Sequence, residues 1–201
     1  MSSVAKESNK LNGKDLMNIG IFTAIFLFVE IIVACVLGVF PMGFLLISIA
    51  EALILSIPMM LYYSRIKKFG MLLIMTIVNG IIMIVTGMGV DALRIGVFIG
   101  LLAELVLRWG KYQSASKSII SYAVFSEIAV TNYVHWLYAS EEWLAGQTTT
   151  YGTDFVEGVS GSFAKGWVFP VVVVVTFVAG ILGGLLGKKV LKKHFEKGGL
   201  L

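Results

Sequence analysis

The sequence is poor in the residues on which disulfide-bonded, metal-binding and nucleotide-binding proteins depend. Among 201 residues it has one cysteine, two histidines and three prolines, and only 14% of the residues are charged. A single cysteine excludes both a disulfide framework and a cysteine metal cluster. A GxxxxGK[ST] segment, which would hold the phosphates of ATP, is also missing. We therefore expect no cofactor, no metal ion and no nucleotide site in this chain.

Apolar residues in long runs make up most of the sequence. Hydrophobic residues account for 58% of the chain, and the mean hydropathy is +0.91. A soluble domain of this length could not cover so much apolar surface with polar groups. Barrel-type alternation is not evident, and helices satisfy their own backbone hydrogen bonds in lipid. The sequence therefore predicts an all-α, polytopic integral membrane protein.

The apolar runs predict a single membrane domain with about six transmembrane helices. Residues 1–15 are predicted to form a cytoplasmic leader, residues 139–166 an external loop and residues 187–201 a basic cytoplasmic tail. Pro58 is expected to kink the second span near its end. The predicted spans are residues 16–37, 44–63, 69–86, 91–109, 117–138 and 167–186, with a turn at 38–43.

The positions of the basic residues indicate how the chain lies in the membrane. Lysine and arginine cluster before the first span, at 65–68, at 108–117 and after the last span, whereas the other side has only Arg94 and Lys165. Because positively charged connections stay in the cytoplasm, both termini are predicted to be cytoplasmic, in a bacterial plasma membrane. These residues flank apolar runs, so the net charge of +4 indicates contact with lipid headgroups and not with nucleic acid.

Ionisable and polar side chains inside the predicted spans are candidate functional groups, because a charge in hydrocarbon costs roughly 2.5 kcal/mol or more. Most of them fall in the outer half of the membrane, which favours a substrate cavity open to the outside. The alternative is that protonated carboxyl groups join neighbouring helices. If the acids are ionised, the cavity prefers a cation or an amine-bearing or polyhydroxylated molecule. The candidate substrate-binding residues are Glu30, Glu51, Asn79, Asp91, Arg94, Glu127, Asn132, His135 and Trp136.

Two acids have an arginine at helical spacing, which favours a structural role. Asp91 and Arg94 are three residues apart, and Glu104 and Arg108 are four apart. Side chains at these spacings lie on the same face of a helix, so each pair could neutralise itself locally. For Glu104 we expect such an ion pair near the inner end of its span.

The segment at 139–166 is polar and rich in aromatic residues, which suits the outer membrane interface. We expect an external loop with a helix lying on the membrane surface, serving either as a cap over a cavity or as a connector. Within it, Gly158-Val159-Ser160-Gly161 matches the GxSG element of rhomboid-type proteases. The only later histidine, His194, belongs to the predicted cytoplasmic tail, on the opposite side from Ser160, so we expect no catalytic residues.

The order of several segments resembles that of the S components of energy-coupling factor (ECF) transporters. More narrowly, the chain resembles an uncharacterised S-component-like family labelled Trep_Strep or MptE-like. The resemblance covers nearly the whole chain. The segments that carry it are KDLMNIGIFTAI at 14–25, the Val/Ile-rich stretch after KKFG at 67–70, the block at 102–112 and SYAVFS at 121–126.

This resemblance implies a transport subunit and not an enzyme. An S component binds a vitamin-like small molecule from outside, and a membrane scaffold (the T component) couples it to two separate ATPases. In the family the first span presents a small-residue face of AxxxA type to the scaffold, and Gly20 and Ala24 would occupy that face here. The resemblance leaves the substrate open, and His135 with the aromatic loop would also suit a larger planar ligand such as a tetrapyrrole.

Two other functions remain open from the residues alone. A stand-alone carrier driven by an ion gradient could use the same acids as a proton relay, although no inverted repeat is evident. A rhomboid-like intramembrane protease is the more distant alternative.

Overall fold

Helices form every regular element in the part of the chain that the structure, a computed structural model, describes. That part comprises residues 10–87 and 89–197, with side chains as far as Lys192. The predicted leader before residue 10, the tail after residue 197 and the side chain of His194 lie outside the described residues. The helices are α1 (Gly13–Leu37), α2 (Pro41–Ile54), α3 (Ser56–Arg65), α4 (Met71–Val85), α5 (Asp91–Trp109), α6 (Ala115–Ser126), α7 (Thr131–Val134), a 3₁₀ turn (His135–Leu137), α8 (Glu141–Tyr151), α9 (Thr153–Phe163) and α10 (Val168–Lys197).

Several of these helices are suited to a lipid bilayer. Among the described residues, α1 and the stretch 168–192 of α10 are each long and apolar enough to cross a membrane. Helices α2 and α3 meet this test together, as one span bent by 43°. Large apolar side chains point away from the protein, among them Phe28 (65% exposed) and Val85 (81% exposed). An outer surface of this kind is stable in lipid and unfavourable in water.

The bend between α2 and α3 follows from a proline. Pro58 has no backbone N–H to donate. In a regular helix its ring would also clash with the carbonyl group four residues earlier, that of Ile54. The α-helix is therefore interrupted at Leu55, further from the end of the predicted span than expected. Pro41 begins α2, where its missing N–H needs no partner, so the turn before it is shorter than predicted.

Residues 117–138 do not form the continuous helix that the apolar run predicts. Helix α6 ends at Ser126, and the next residues are joined by hydrogen bonds three residues apart, such as that from Ile128 N to Phe125 O at 3.0 Å. The tighter turn leads into the short helix α7. Irregular backbone at membrane depth is stable only where protein or a cavity covers it, which is the case for this segment, described below.

The predicted external loop contains two helices with different roles. Helix α8 has no fully buried side chain. Helix α9, in contrast, packs against α2 and buries Phe155, Val156, Val159 and Phe163. The segment therefore holds two helices where one was predicted, and α9 belongs to the core. Helix α10 also extends beyond the predicted end of the last span, as far as Lys197.

The core divides into two apolar clusters, one toward each end of the bundle. One cluster joins α1, α3, α4, α5 and α6 around Tyr62, Leu72 and Phe125. The other joins the segment 130–136, α9 and the start of α10 around Tyr133 and Val159.

Candidate functional site

A cavity of about 200 Å³ opens between α1, α2, α4 and the segment 129–133. Each element contributes residues from the same end of the bundle: the C-terminal part of α1, the N-terminal part of α2 and the last turns of α4. The polar side chains that line the cavity include Glu30, Glu51 and Asn132, so the structure brings together three of the predicted site residues.

Glu30 is held by a neighbouring helix. Its carboxyl group is buried, and Asn79 Nδ2 donates a hydrogen bond to Glu30 Oε2 at 2.7 Å. Asn79 does not line the cavity; it positions Glu30 from α4. A buried carboxyl group needs such a donor, because an unpaired polar group in an apolar surrounding destabilises the fold.

Glu51 lacks such a donor. Its side chain is 2% exposed, and neither carboxyl oxygen has a hydrogen-bond partner among the described residues. Asn132 Oδ1, in the same cavity, is also buried without a partner. Most buried polar atoms in folded proteins are paired, so unpaired acceptors on two residues that line one cavity indicate a place for a donor-bearing ligand.

Aromatic side chains form a second, smaller space beside the cavity. We call Phe44, Trp136, Trp143, Tyr151 and Phe155 the aromatic cap; together with Asn132 and Gln147 they line a small cleft beside the cavity. The ring centroids of Phe44 and Trp136 are 5.7 Å apart, and those of Trp136 and Trp143 are 5.0 Å apart. Phe44 and Asn132 belong to both spaces, so the cap and the cavity share a wall.

A hydroxyl group fixes the position of that wall. Tyr133 Oη donates a hydrogen bond to Phe44 O at 2.8 Å and accepts one from Ser48 N at 3.1 Å. These bonds join α7 to α2 at the Phe44 carbonyl and the Ser48 N–H, two groups that lie four residues apart in that helix. Asn132 and Phe44 are therefore held close to each other.

Two predicted site residues, Asp91 and His135, lie outside the cavity, in a second polar group with Tyr138. His135 Nδ1 lies 3.2 Å from Asp91 Oδ2 and 3.0 Å from the hydroxyl oxygen of Tyr138, and that hydroxyl donates to Asp91. These contacts join the start of α5 to the 3₁₀ turn and to the residue that follows it. The expected local ion pair between Asp91 and Arg94 does not form, since Asp91 contacts the 3₁₀ turn instead.

Glu104 serves the fold at the opposite end. It is fully buried and accepts hydrogen bonds from Leu72 N at 2.8 Å and from the hydroxyl of Tyr112 at 3.0 Å. The first turn of α4 has unpaired backbone N–H groups, and this carboxylate satisfies one of them from another helix. The predicted ion pair with Arg108 is wrong: that guanidinium lies over the ring of Phe69, 5.5 Å from its centroid.

The candidate Glu127 and the serine of the rhomboid-like motif, Ser160, also lie apart from the cavity. Glu127 has one buried oxygen without a partner, but the residue is not part of the cavity lining. Ser160 lies within α9, and its hydroxyl donates to Val156 O in the preceding turn at 2.7 Å. Among the described residues, no group of three or more His, Cys, Asp and Glu side chains is arranged to hold a metal ion.

Comparison with known proteins places the chain in a family. The sequence pattern of the family described as "hypothetical bacterial integral membrane protein (Trep_Strep)" matches residues 13–197. The chain belongs to the Trep_Strep family. No curated protein and no solved structure matches it. The match runs from α1 to α10, so the cavity lies within the region that defines this Trep_Strep protein, and membrane localisation follows from the family and from the apolar helices.

Sequence reasoning missed part of the Trep_Strep cavity. Phe44 and Tyr133 contribute to its wall, but an aromatic residue inside an apolar run differs little from one that faces lipid or core. Cys35 also lines the cavity, on an exposed face of α1. Its position in an apolar run gave no functional signal, because a lone cysteine there is most simply a small apolar residue.

Proposed function

We propose that this Trep_Strep protein is the substrate-capture (S) subunit of an ATP-driven, ECF-type importer in a bacterial plasma membrane. It binds a vitamin-like or related small molecule from the outside. A T component and two ATPases, all separate chains, then supply the energy for delivery to the cytoplasm.

The observation that carries this proposal is the unpaired carboxyl group of Glu51 in a cavity of about 200 Å³. The cavity lies at the end of the bundle that the distribution of lysine and arginine assigns to the outside. A small, largely apolar cavity with a few converging polar atoms is typical of a site for a small molecule.

A surface feature of α1 supports a partner in the membrane. Gly20 and Ala24 are exposed, and a Cβ atom at Gly20 would meet nothing within 4 Å. The glycines of α10 differ, since Cβ atoms at Gly184 and Gly187 would lie 3.2 Å from Ile119 Cγ2 and 2.7 Å from Ser56 O. The small residues of α10 serve internal packing, whereas those of α1 leave room for a helix of another protein, as the T component requires.

Affinity purification in mild detergent, followed by mass spectrometry, tests the proposal. We expect a T-type membrane protein and two ATPases to accompany the chain. If the chain is recovered alone under conditions that keep other ECF complexes intact, the proposal is wrong. Uptake that is abolished by ionophores but insensitive to ATP depletion would then favour the stand-alone carrier.

A further inference from the structure

The buried polar atoms of the cavity that lack a partner among the described residues are hydrogen-bond acceptors. Glu51 offers two unpaired carboxyl oxygens and Asn132 one unpaired amide oxygen. Glu30 adds a second carboxyl group, one oxygen of which accepts from Asn79. A ligand that satisfies these atoms must therefore bring N–H or O–H groups of its own.

The hydroxyl donors that border the cavity are already engaged. Tyr133 donates to Phe44 O, as described above, and the hydroxyl of Thr86 donates to Ile82 O at 3.0 Å, within its own helix. Neither is free to bind a carbonyl, carboxylate or phosphate group of a ligand without breaking a bond that the fold uses.

The charge of the side chains that line the cavity also favours a ligand with N–H groups, and in particular a cation. Of the described residues that line it, none is lysine, arginine or histidine, whereas two are glutamate. An anionic ligand would meet carboxyl groups without a compensating cation in a surrounding of low dielectric constant, which is unfavourable. A cationic ligand would replace the missing partner of Glu51.

An inorganic cation does not fit the rest of the lining. Hard divalent cations take about six or more oxygen ligands, and this cavity offers mainly Glu30, Glu51 and Asn132. The remaining wall is apolar and includes Leu27, Ile47 and Met83. An apolar cavity of about 150 Å³ holds a benzene molecule, so a cavity of about 200 Å³ has room for a ring with a short polar substituent.

We infer that the ligand is a small organic cation with an apolar or aromatic body and at least two N–H donors, which pair with Glu51 and with Asn132 Oδ1. This inference rests on the proposed capture function and narrows it to amine- or amidine-bearing compounds. Vitamin-like molecules whose recognised group is a carboxylate or a phosphate do not suit this cavity.

Three probes of equal shape test the ligand class: benzamidine (a cation with N–H donors), benzamide (neutral) and benzoate (an anion). Binding to the purified full chain in lipid nanodiscs is measured by calorimetry at neutral pH. We expect benzamidine to bind at least about tenfold more tightly than benzamide, since one lost charge pair commonly changes affinity by that much or more. Benzoate should bind more weakly still.

Two charge-neutralising variants test whether Glu51 is the group that makes benzamidine bind more tightly than benzamide. Glu51→Gln should weaken benzamidine binding about tenfold or more and leave benzamide binding nearly unchanged. Glu157→Gln removes the same charge from an exposed position on α9 and should leave the order of the three probes as in the wild type. Equal loss in both variants would mean that general surface charge, and not the cavity, attracts the cation, and the inference would be wrong.

Cys35 provides a readout that needs no variant. It is the single cysteine of the chain and lines the cavity from an exposed position, so a small methanethiosulfonate reagent modifies this site alone. Benzamidine should slow the modification, and benzoate should not. Protection by benzamide or benzoate instead would contradict the inferred ligand class but would leave small-molecule capture in place. Protection by none of the three probes would also contradict the inferred ligand class. Recovery of the chain without transporter partners is the separate result that would refute the proposed function.

Discussion

At the scale of single residues, three buried glutamates show how one residue type serves different purposes. Glu104 accepts hydrogen bonds from Leu72 N and Tyr112, and Glu30 accepts one from Asn79. Burial and the nearby charge of Glu104 raise the pKa of the Tyr112 hydroxyl, which therefore stays protonated and remains a donor. Glu51 has no partner among the described residues. The first two stabilise the fold, whereas Glu51 remains available to a ligand.

Replacing Glu104 and Glu51 one at a time by leucine should show which of the two side chains stabilises the fold. Glu104→Leu leaves Leu72 N and the Tyr112 hydroxyl unpaired, so we expect the free energy of unfolding to fall by about 1–3 kcal/mol. Glu51→Leu removes no hydrogen bond and should leave stability unchanged or raise it. Thermal unfolding of both variants in the same detergent provides the measurement. A Tm loss for Glu51→Leu as large as that for Glu104→Leu would show that Glu51 is structural.

The candidate site was only partly predictable at this scale. An acid inside an apolar run is visible in the sequence, so Glu30, Glu51 and Asn132 were identified before their positions were known. Whether a given acid has a partner depends on other helices, and the sequence does not show that. Asp91 and His135 were placed in the site for the same reason as Glu51, yet they bind each other outside the cavity.

At the scale of helices, local chemistry determines some boundaries and tertiary packing determines others. Helix α5 begins and ends where the sequence predicts, after Gly89 with a φ of 89° and before Gly110. The break after α6 has no such cause, because the residues 127–130 include neither glycine nor proline. Within this segment Ile128 packs near Gly96 of α5. The break therefore coincides with a contact between helices and not with a residue that disfavours the helix.

The contact of α10 with the bend between α2 and α3 leads to a prediction about stability. A Cβ atom at Gly183 would lie 2.5 Å from Ala52 O, closer than real Cβ atoms approach, so Gly183→Ala must push α10 away from the bend. We expect a loss of about 1–3 kcal/mol, as for other overpacked positions. Gly20→Ala, at an exposed position in α1, should be neutral or stabilising by up to about 1 kcal/mol.

Denaturant or thermal unfolding of both glycine variants checks this prediction. The two changes add the same methyl group to a helical glycine, so a difference between them reports the space around each position. If both variants unfold like the wild type, α10 does not pack against the bend as described.

At the scale of the whole molecule, α1 contributes both to the proposed ligand site and to the proposed contact with the T component. Its C-terminal part carries Glu30 and Cys35 into the cavity, and its N-terminal part carries Gly20 and Ala24 on an exposed face. The composition was enough to predict the all-helical membrane class, because nothing but lipid accommodates so many apolar residues. The assembly of the cavity could not be predicted, because it depends on contacts between helices that are distant in sequence, such as α1 with α4 and α2 with α7.

Enlarging the exposed face of α1 should interfere with partner binding and leave the fold intact. Gly20→Leu adds a bulky side chain where a close helix–helix contact with the T component is proposed, so we expect recovery of the partners to fall about tenfold or more. Gly161→Leu makes the same change at another exposed helical glycine with nothing within 4 Å and serves as the control. Quantitative mass spectrometry after affinity purification compares the two variants; equal partner recovery from both would exclude this face as the interface.

The orientation of the molecule can be tested through its single cysteine. If the lysine-rich connections are cytoplasmic, the end of the bundle with the cavity faces outward, and Cys35 is reached from that side. A membrane-impermeant thiol reagent added to intact spheroplasts should therefore label the wild type and not Cys35→Ser. A cysteine introduced at Lys111 in the Cys35→Ser background should react only after the membrane is permeabilised, because this position follows α5 at the opposite end. The reverse pattern would place the cavity on the cytoplasmic side, where it could not capture a substrate from outside.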